Sequence, residues 1–179
     1  MTPAAEDNAS RRLFFALWPD ESTRQQLLRE TRGVVRRCGG KPVPPANYHV
    51  TVAFVGTLPA ERLDAIAAAG RATEFAQFEL LFDRVGYWPR PRVLWAAPSR
   101  CPPALHTLVS ALWDRLSDAG LERESRAYQP HLTLCRKLGQ LVEAKLAKPV
   151  RWGASGFVLV ESVVVDGRSS YQVIERYPQ

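Results

Sequence analysis

Apolar positions recur along this chain with two periods. Residues 12–18, "RLFFALW", are apolar without a break after Arg12, as expected of a strand buried on both faces, and Pro19 stops the run. Asp20 is placed to cap a helix over "ESTRQQLLRETRGVVRR" (21–37), where Leu27, Leu28, Thr31, Val34 and Val35 form one apolar stripe. A turn-rich link from Cys38 to Pro45 leads into the strand "NYHVTVAFVG" (47–56), and Pro59 opens a second helix that runs to about Gly70. Strands are predicted at 78–87 and 93–97, joined through "WPRPR", and a helix over 103–119 carries Leu105, Leu108, Leu112 and Leu116 with Gly120 as its stop. The strand "QPHLTLCRK" (129–137) follows, then a short helical piece near 140–147. Two strands at 156–165 and 170–176, turning at "DGRS", close the chain. Residues 1–10 are polar and read as a flexible N-terminal tail.

The element order repeats itself loosely, and each repeat contains one H-x-T. In "NYHVTVAFVG", strand alternation puts His49 and Thr51 on one face and Val50, Val52 and Phe54 on the other; in "QPHLTLCRK" it puts His131, Thr133 and Cys135 opposite Leu132 and Leu134. The expected fold is α+β, with two pseudo-symmetric antiparallel or mixed sheets lining a cleft and helices packed outside. Each half is too small to bury a core without the other. The whole chain, 1–179, reads as a single two-lobed domain.

Composition narrows the chemistry. No apolar run approaches the 18 or so residues of a membrane helix, and the start "MTPAAEDNASRR" lacks the basic and then apolar order of a signal peptide, so a cytoplasmic protein without membrane attachment is expected. Cys38, Cys101 and Cys135 are widely spaced and read as free thiols, with Cys135 filling the cleft wall. The net charge of +6 favours an anionic partner, and Arg84, Arg90 and Arg92 around "WPRPR" could rim the edge that attracts it.

Two imidazoles on opposite sides of a phosphorus can take a proton from an entering oxygen and give one to a leaving oxygen, because their pKa lies near the working pH. Thr51 and Thr133 can donate to non-bridging oxygens, and Arg136 adds a charge-assisted fork for the same phosphate. No metal or cofactor is needed by such a site. Other readings of the histidines are backbone-bonded strand residues and zinc ligands. For zinc, the remaining histidine, His106, sits beside a helical leucine stripe and is read as structural.

These residues carry a resemblance. "HVTV" and "HLTL", with "RLFFAL", "VAFVG", "PHLTLCRK" and "VLVES" around them, resemble the two-histidine phosphoesterase superfamily over nearly the whole chain, from about Arg12 to about Arg176. Within it the chain resembles the RNA 2′,3′-cyclic phosphodiesterases of bacteria and archaea, also called 2′-5′ RNA ligases. The resemblance implies a bilobal phosphoesterase fold with one H-x-T-x per lobe, and it maps the family's motif residues onto His49, Thr51, His131 and Thr133, with Arg136 after the second motif. Tyr48 stands where an aromatic usually precedes the first histidine, but its parity points it away from the cleft. The implied reaction opens an RNA 2′,3′-cyclic phosphate to a 2′-phosphomonoester, with 2′-5′ joining of tRNA halves as a side activity. We expect His131 to act as general base and His49 as general acid, because Arg136 disfavours a protonated His131. The expected partner is RNA ending in a 2′,3′-cyclic phosphate, tRNA halves among them, bound by a monomer. A non-catalytic RNA-end-binding module, and an enzyme for small cyclic phosphates or 2′-5′ oligoadenylates, are the alternatives.

Overall fold

A computed structural model describes residues 10–140, 144–165 and 168–178. Residues 1–9 of the tail predicted at 1–10, and Asp166 and Gly167 of "DGRS", lie outside them, while Ser10 is corrected to the first residue of a strand. Strands β1 (Ser10–Leu17), β2 (Lys41–Pro42), β3 (Val50–Pro59), β4 (Phe78–Trp88), β5 (Val93–Pro98), β6 (Leu132–Arg136), β7 (Ala144–Ala154), β8 (Phe157–Val165) and β9 (Arg168–Tyr177) form one curled antiparallel sheet. Its order is β7-β4-β5-β6-β3-β1-β8-β9, with β2 alongside β6. Helices α1 (Glu21–Arg37), α2 (Leu63–Arg71) and α3 (Pro103–Asp118) lie at its periphery.

The two expected sheets are joined into one, and the reason is a single residue pair. Val50 of β3 faces Leu132 of β6, and that is the whole register between these two strands. On one side of this seam stand β3, β1, β8 and β9, and on the other β6, β5, β4 and β7, so each half begins with a motif strand. Antiparallel pairing at Val50 and Leu132 sends the chain preceding each of them toward the chain following the other, which sets His49 on the side of Thr133 and Thr51 on the side of His131.

β1 is apolar throughout because it has two buried faces. Leu13, Phe15 and Leu17 enter the main core, while Phe14 and Ala16 join a smaller cluster with Val158 and Val160, against which Trp18 and Tyr171 pack. Asp20 caps α1 by accepting from the Thr23 amide at 2.7 Å, and Thr23, Leu27, Thr31 and Val34 are its buried stripe. α1 packs against β6 and β7, and α3 against β3 and α2, so each of these helices covers strands of the half it does not belong to. In α3 all four predicted leucines are buried. Pro59 ends β3 rather than starting a helix; a 3₁₀ turn, Ala60–Arg62, intervenes before α2.

The helical piece predicted near 140–147 is corrected. Residues 141–143 lie outside the described residues, and 144–147 belong to β7. "AKLA" has helical propensity, but pairing with β4 overrides it, and the register shift between Phe82 and Arg84 of β4 obscures the strand period. Pro149 is tolerated because β7 is an outer strand.

Candidate active site

Both histidines sit immediately before the residues of the seam, and both are held in the same way. Nδ1 of His49 donates to the Asn47 carbonyl at 2.7 Å, and Nδ1 of His131 donates to the Gln129 carbonyl at 2.9 Å. A carbonyl can only accept, so each neutral ring carries its proton on Nδ1 and has Nε2 as its unprotonated nitrogen. Asn47 and Gln129 each precede their histidine by two residues, which extends the pseudo-symmetry from the strands to the tautomers.

The surroundings differ. The His49 ring is stacked on Trp18, with centroids 5.5 Å apart and planes 7° apart, and meets Tyr171 edge-on at 5.2 Å and Phe14 at 5.0 Å. Burial among these rings pushes its pKa from the ordinary 6.5 down to about 4; the bond to Asn47 opposes this, and the charges of Arg136 and His131 add to it. His131 meets one ring, Trp88, edge-on at 4.5 Å. Its pKa is lowered by burial, with the Gln129 carbonyl opposing and Arg136 reinforcing. Arg136 is exposed at the end of β6, opposite Lys41 of β2, and its charge reaches both imidazoles. Thr51 and Thr133 are half-buried, and the Tyr128 hydroxyl donates to the Thr51 carbonyl at 2.9 Å, fixing β3 beside the seam.

The structure therefore brings His49, Thr51, His131, Thr133 and Arg136 to one place in the fold. His106 is elsewhere, exposed on α3 with its ring 6.3 Å from Tyr128. Tyr48 is buried in the core, as its parity requires. Cys135 is a correction: it does not line the cleft with His131 and Thr133 but is fully buried, its Sγ 3.1 Å from that of Cys38. A register shift against β5 between Leu94 and Trp95 breaks the alternation, so Leu134 and Cys135 both enter the core. Burial, then the Cys38 thiol, push the Cys135 thiol up to about 12, unsuited to nucleophilic attack. The three arginines of "WPRPR" and β4 part company as well: Arg92 donates to the Leu138 carbonyl, Arg84 lies 6.0 Å over the Trp95 ring, and Arg90 lines a cavity beside His131.

Sequence reasoning missed Trp18, Tyr171 and Trp88. Trp18 closes an apolar run and Tyr171 lies more than a hundred residues from His49, so only the pairing of β1 with both β3 and β8, and of β8 with β9, brings them together. Among the described residues, no three His, Cys, Asp or Glu side chains gather as metal ligands, and no helix is long and apolar enough to cross a membrane.

The sequence and the fold both have known counterparts. The family described as "LigT like Phosphoesterase" matches residues 17–95. The chain is 30% identical to the RNA 2′,3′-cyclic phosphodiesterase of Thermus thermophilus, over 93% of this chain and 89% of the relative. Its identity to the enzyme of the same name from Escherichia coli is 29%, over 93% and 96%. The crystal structure of E. coli LigT complexed with 3′-AMP superimposes with a TM-score of 0.86 at 27% identity, covering 94% of this chain and 98% of that one.

Proposed function

From the premise that this chain belongs to the LigT-like, two-histidine phosphoesterase family, we propose the following chemistry for it. The protein is an RNA 2′,3′-cyclic phosphodiesterase that opens the cyclic phosphate to a 2′-phosphomonoester. The observation that carries the site assignment is the pair of Nδ1-tethered imidazoles flanking the β3–β6 seam, each with Nε2 left out of that tether and near enough for the charge of His131 to act on His49. Two groups so placed can serve the two ends of an in-line displacement.

Three aromatic rings enclose His49 whereas one meets His131, which also lines two cavities beside the seam, so water reaches His131 more readily. We therefore keep His131 as the base. Its Nε2 removes a proton from water, the oxygen bonds to phosphorus opposite O3′, and the P–O3′ bond breaks. His49 gives its Nε2 proton to O3′ and ends neutral while His131 ends protonated, so solvent resets both. In the free protein His49 is mostly neutral at pH 7. The anionic phosphate supplies the countercharge that draws its proton on, and the faces of Trp18 and Phe14 accept the resulting cation. Thr51, Thr133 and Arg136 bind the non-bridging oxygens and stabilise the charge that builds at phosphorus. None of these steps calls for a metal.

The two halves of the sheet act as the two lobes of this family's architecture. The protein works as a cytoplasmic monomer on RNA ends, tRNA halves included, with 2′-5′ joining as a side reaction in which a 5′-hydroxyl takes the place of water and O3′ is again the leaving group. The test is incubation of purified protein with RNA ending in a 2′,3′-cyclic phosphate, in excess chelator, followed by mapping of the product phosphate. A 2′-phosphate formed at an undiminished rate is expected. A 3′-phosphate, or activity that vanishes with chelator and returns with one divalent ion, would refute this mechanism.

A further inference from the structure

Beside His131 a cavity of about 520 Å³ runs away from the seam, bounded by Thr51 and His131 at its inner end. Its size falls within the range of small-molecule sites. Trp88 and Phe54 are among its walls, Trp113 and Val109 of α3 are its floor, and Arg90, Arg123 and Arg126 line it as well. Phe54 is 41% exposed, unusual for a large apolar residue, and the Arg12 guanidinium lies 5.2 Å over its ring. Phe54 is three residues beyond Thr51, roughly 10 Å along β3 from the catalytic gap.

Aromatic faces interleaved with arginines are what a nucleotide needs: rings for a base, guanidinium groups for a phosphate. The charge of the cyclic phosphate is already met between the histidines by Arg136 and the two threonines. A cyclic mononucleotide has no second charge to offer to Arg90, Arg123 and Arg126. Of these, only Arg126 has an ion-pair partner among the described residues, Glu124 at 3.9 Å, which lines the cavity as well and leaves three cationic side chains against one carboxylate there. We propose that this cavity seats the nucleotide preceding the cyclic-phosphate end, its base against Trp88 and Phe54 and its phosphodiester facing the arginines. The inference rests on the phosphodiesterase reading and deepens it: the substrate class is oligoribonucleotide ends of two or more nucleotides rather than cyclic mononucleotides.

The experiment compares a cyclic mononucleotide with a dinucleotide ending in a 2′,3′-cyclic phosphate, and measures binding of the corresponding mono- and dinucleotide 2′-phosphates. The dinucleotide should be favoured on the order of 10- to 100-fold both in kcat/KM and in affinity, the worth of one stacked base and a phosphate contact. Phe54→Ala, and Arg123→Ala with Arg126→Ala, change exposed side chains. Each should remove most of that gain and leave mononucleotide turnover unchanged. Equal affinity and equal kcat/KM for the two ligands would overturn the proposal, as would variants that lose mononucleotide and dinucleotide turnover alike. If neither substrate were turned over but the dinucleotide product still bound more tightly, through Phe54, the cavity assignment would stand and the enzyme reading would fall.

Discussion

At the scale of single residues, the rings that hold His49 also remove water from it, and that couples its position to pH. Both imidazoles have pKa values below 6.5, with His49 near 4. One must be neutral and the other protonated, so kcat/KM should trace a bell whose optimum lies below pH 6.5, between the two lowered values. An optimum above pH 7 on a cyclic mononucleotide would contradict this. The same shift enters stability with a definite sign. The unfolded chain binds the proton of His49 near pH 6.5 and the folded one only near 4, so the stabilisation is complete above 6.5 and is lost as pH falls toward 4. Relative to His49→Gln, the wild-type protein should lose an extra 1–3 kcal/mol or so across that window, read by denaturant titration. Replacing either histidine by alanine should cost on the order of 10²–10⁴ in kcat. The double variant should lose less than the product of the single losses, because both groups act in one transition state.

At the scale of elements, what could be read from sequence depended on whether a strand kept its period. In β3 as far as Val52, and in the first half of β6, the two-residue alternation holds, so it separates His49, Thr51, His131 and Thr133 from the core-facing residues. A shift against β1 between Thr51 and Ala53 then buries Val52 and Ala53 together and corrects Phe54, read with Val50 and Val52, to an exposed position. Past Thr133 a bulge intervenes, and the same reasoning misplaced Cys135. α1 and α3 were legible because capping and a 3.6-residue stripe are local signals, whereas β7 was not, since its conformation is imposed by β4. The aromatic enclosure of His49 was illegible for a different reason: no local pattern records which ring will meet which across a sheet. Gly86 shows how closely two such elements fit. It pairs with Trp95, and a Cβ placed there would lie 2.4 Å from the indole. Gly86→Ala must displace Trp95, which lines the smaller cavity beside His131 and packs on Trp88. A loss of about 1–3 kcal/mol in thermal or denaturant unfolding is expected, together with reduced turnover. Unchanged unfolding would mean that the indole moves aside freely.

At the scale of the whole molecule, the charge of +6 and the exposed arginines predict that KM for an RNA substrate rises with salt, while KM for a cyclic mononucleotide changes little. Equal salt dependence for the two would remove the charged path along the cavity. The crossed helices carry a different consequence. α1 follows β1 in the chain yet covers β6 and β7, and α3 follows β5 yet covers β3; across the seam itself β3 and β6 share one pair. The two halves are thus clasped by segments of each other rather than glued along an edge. A backbone cut between Arg100 and Cys101 would part α1 and α3 into separate fragments, each retaining a helix whose bed lies largely on the other. Neither piece should fold by itself, yet an equimolar mixture should reassemble, and the return of cyclic-phosphate turnover would then report a two-body association whose yield depends on concentration.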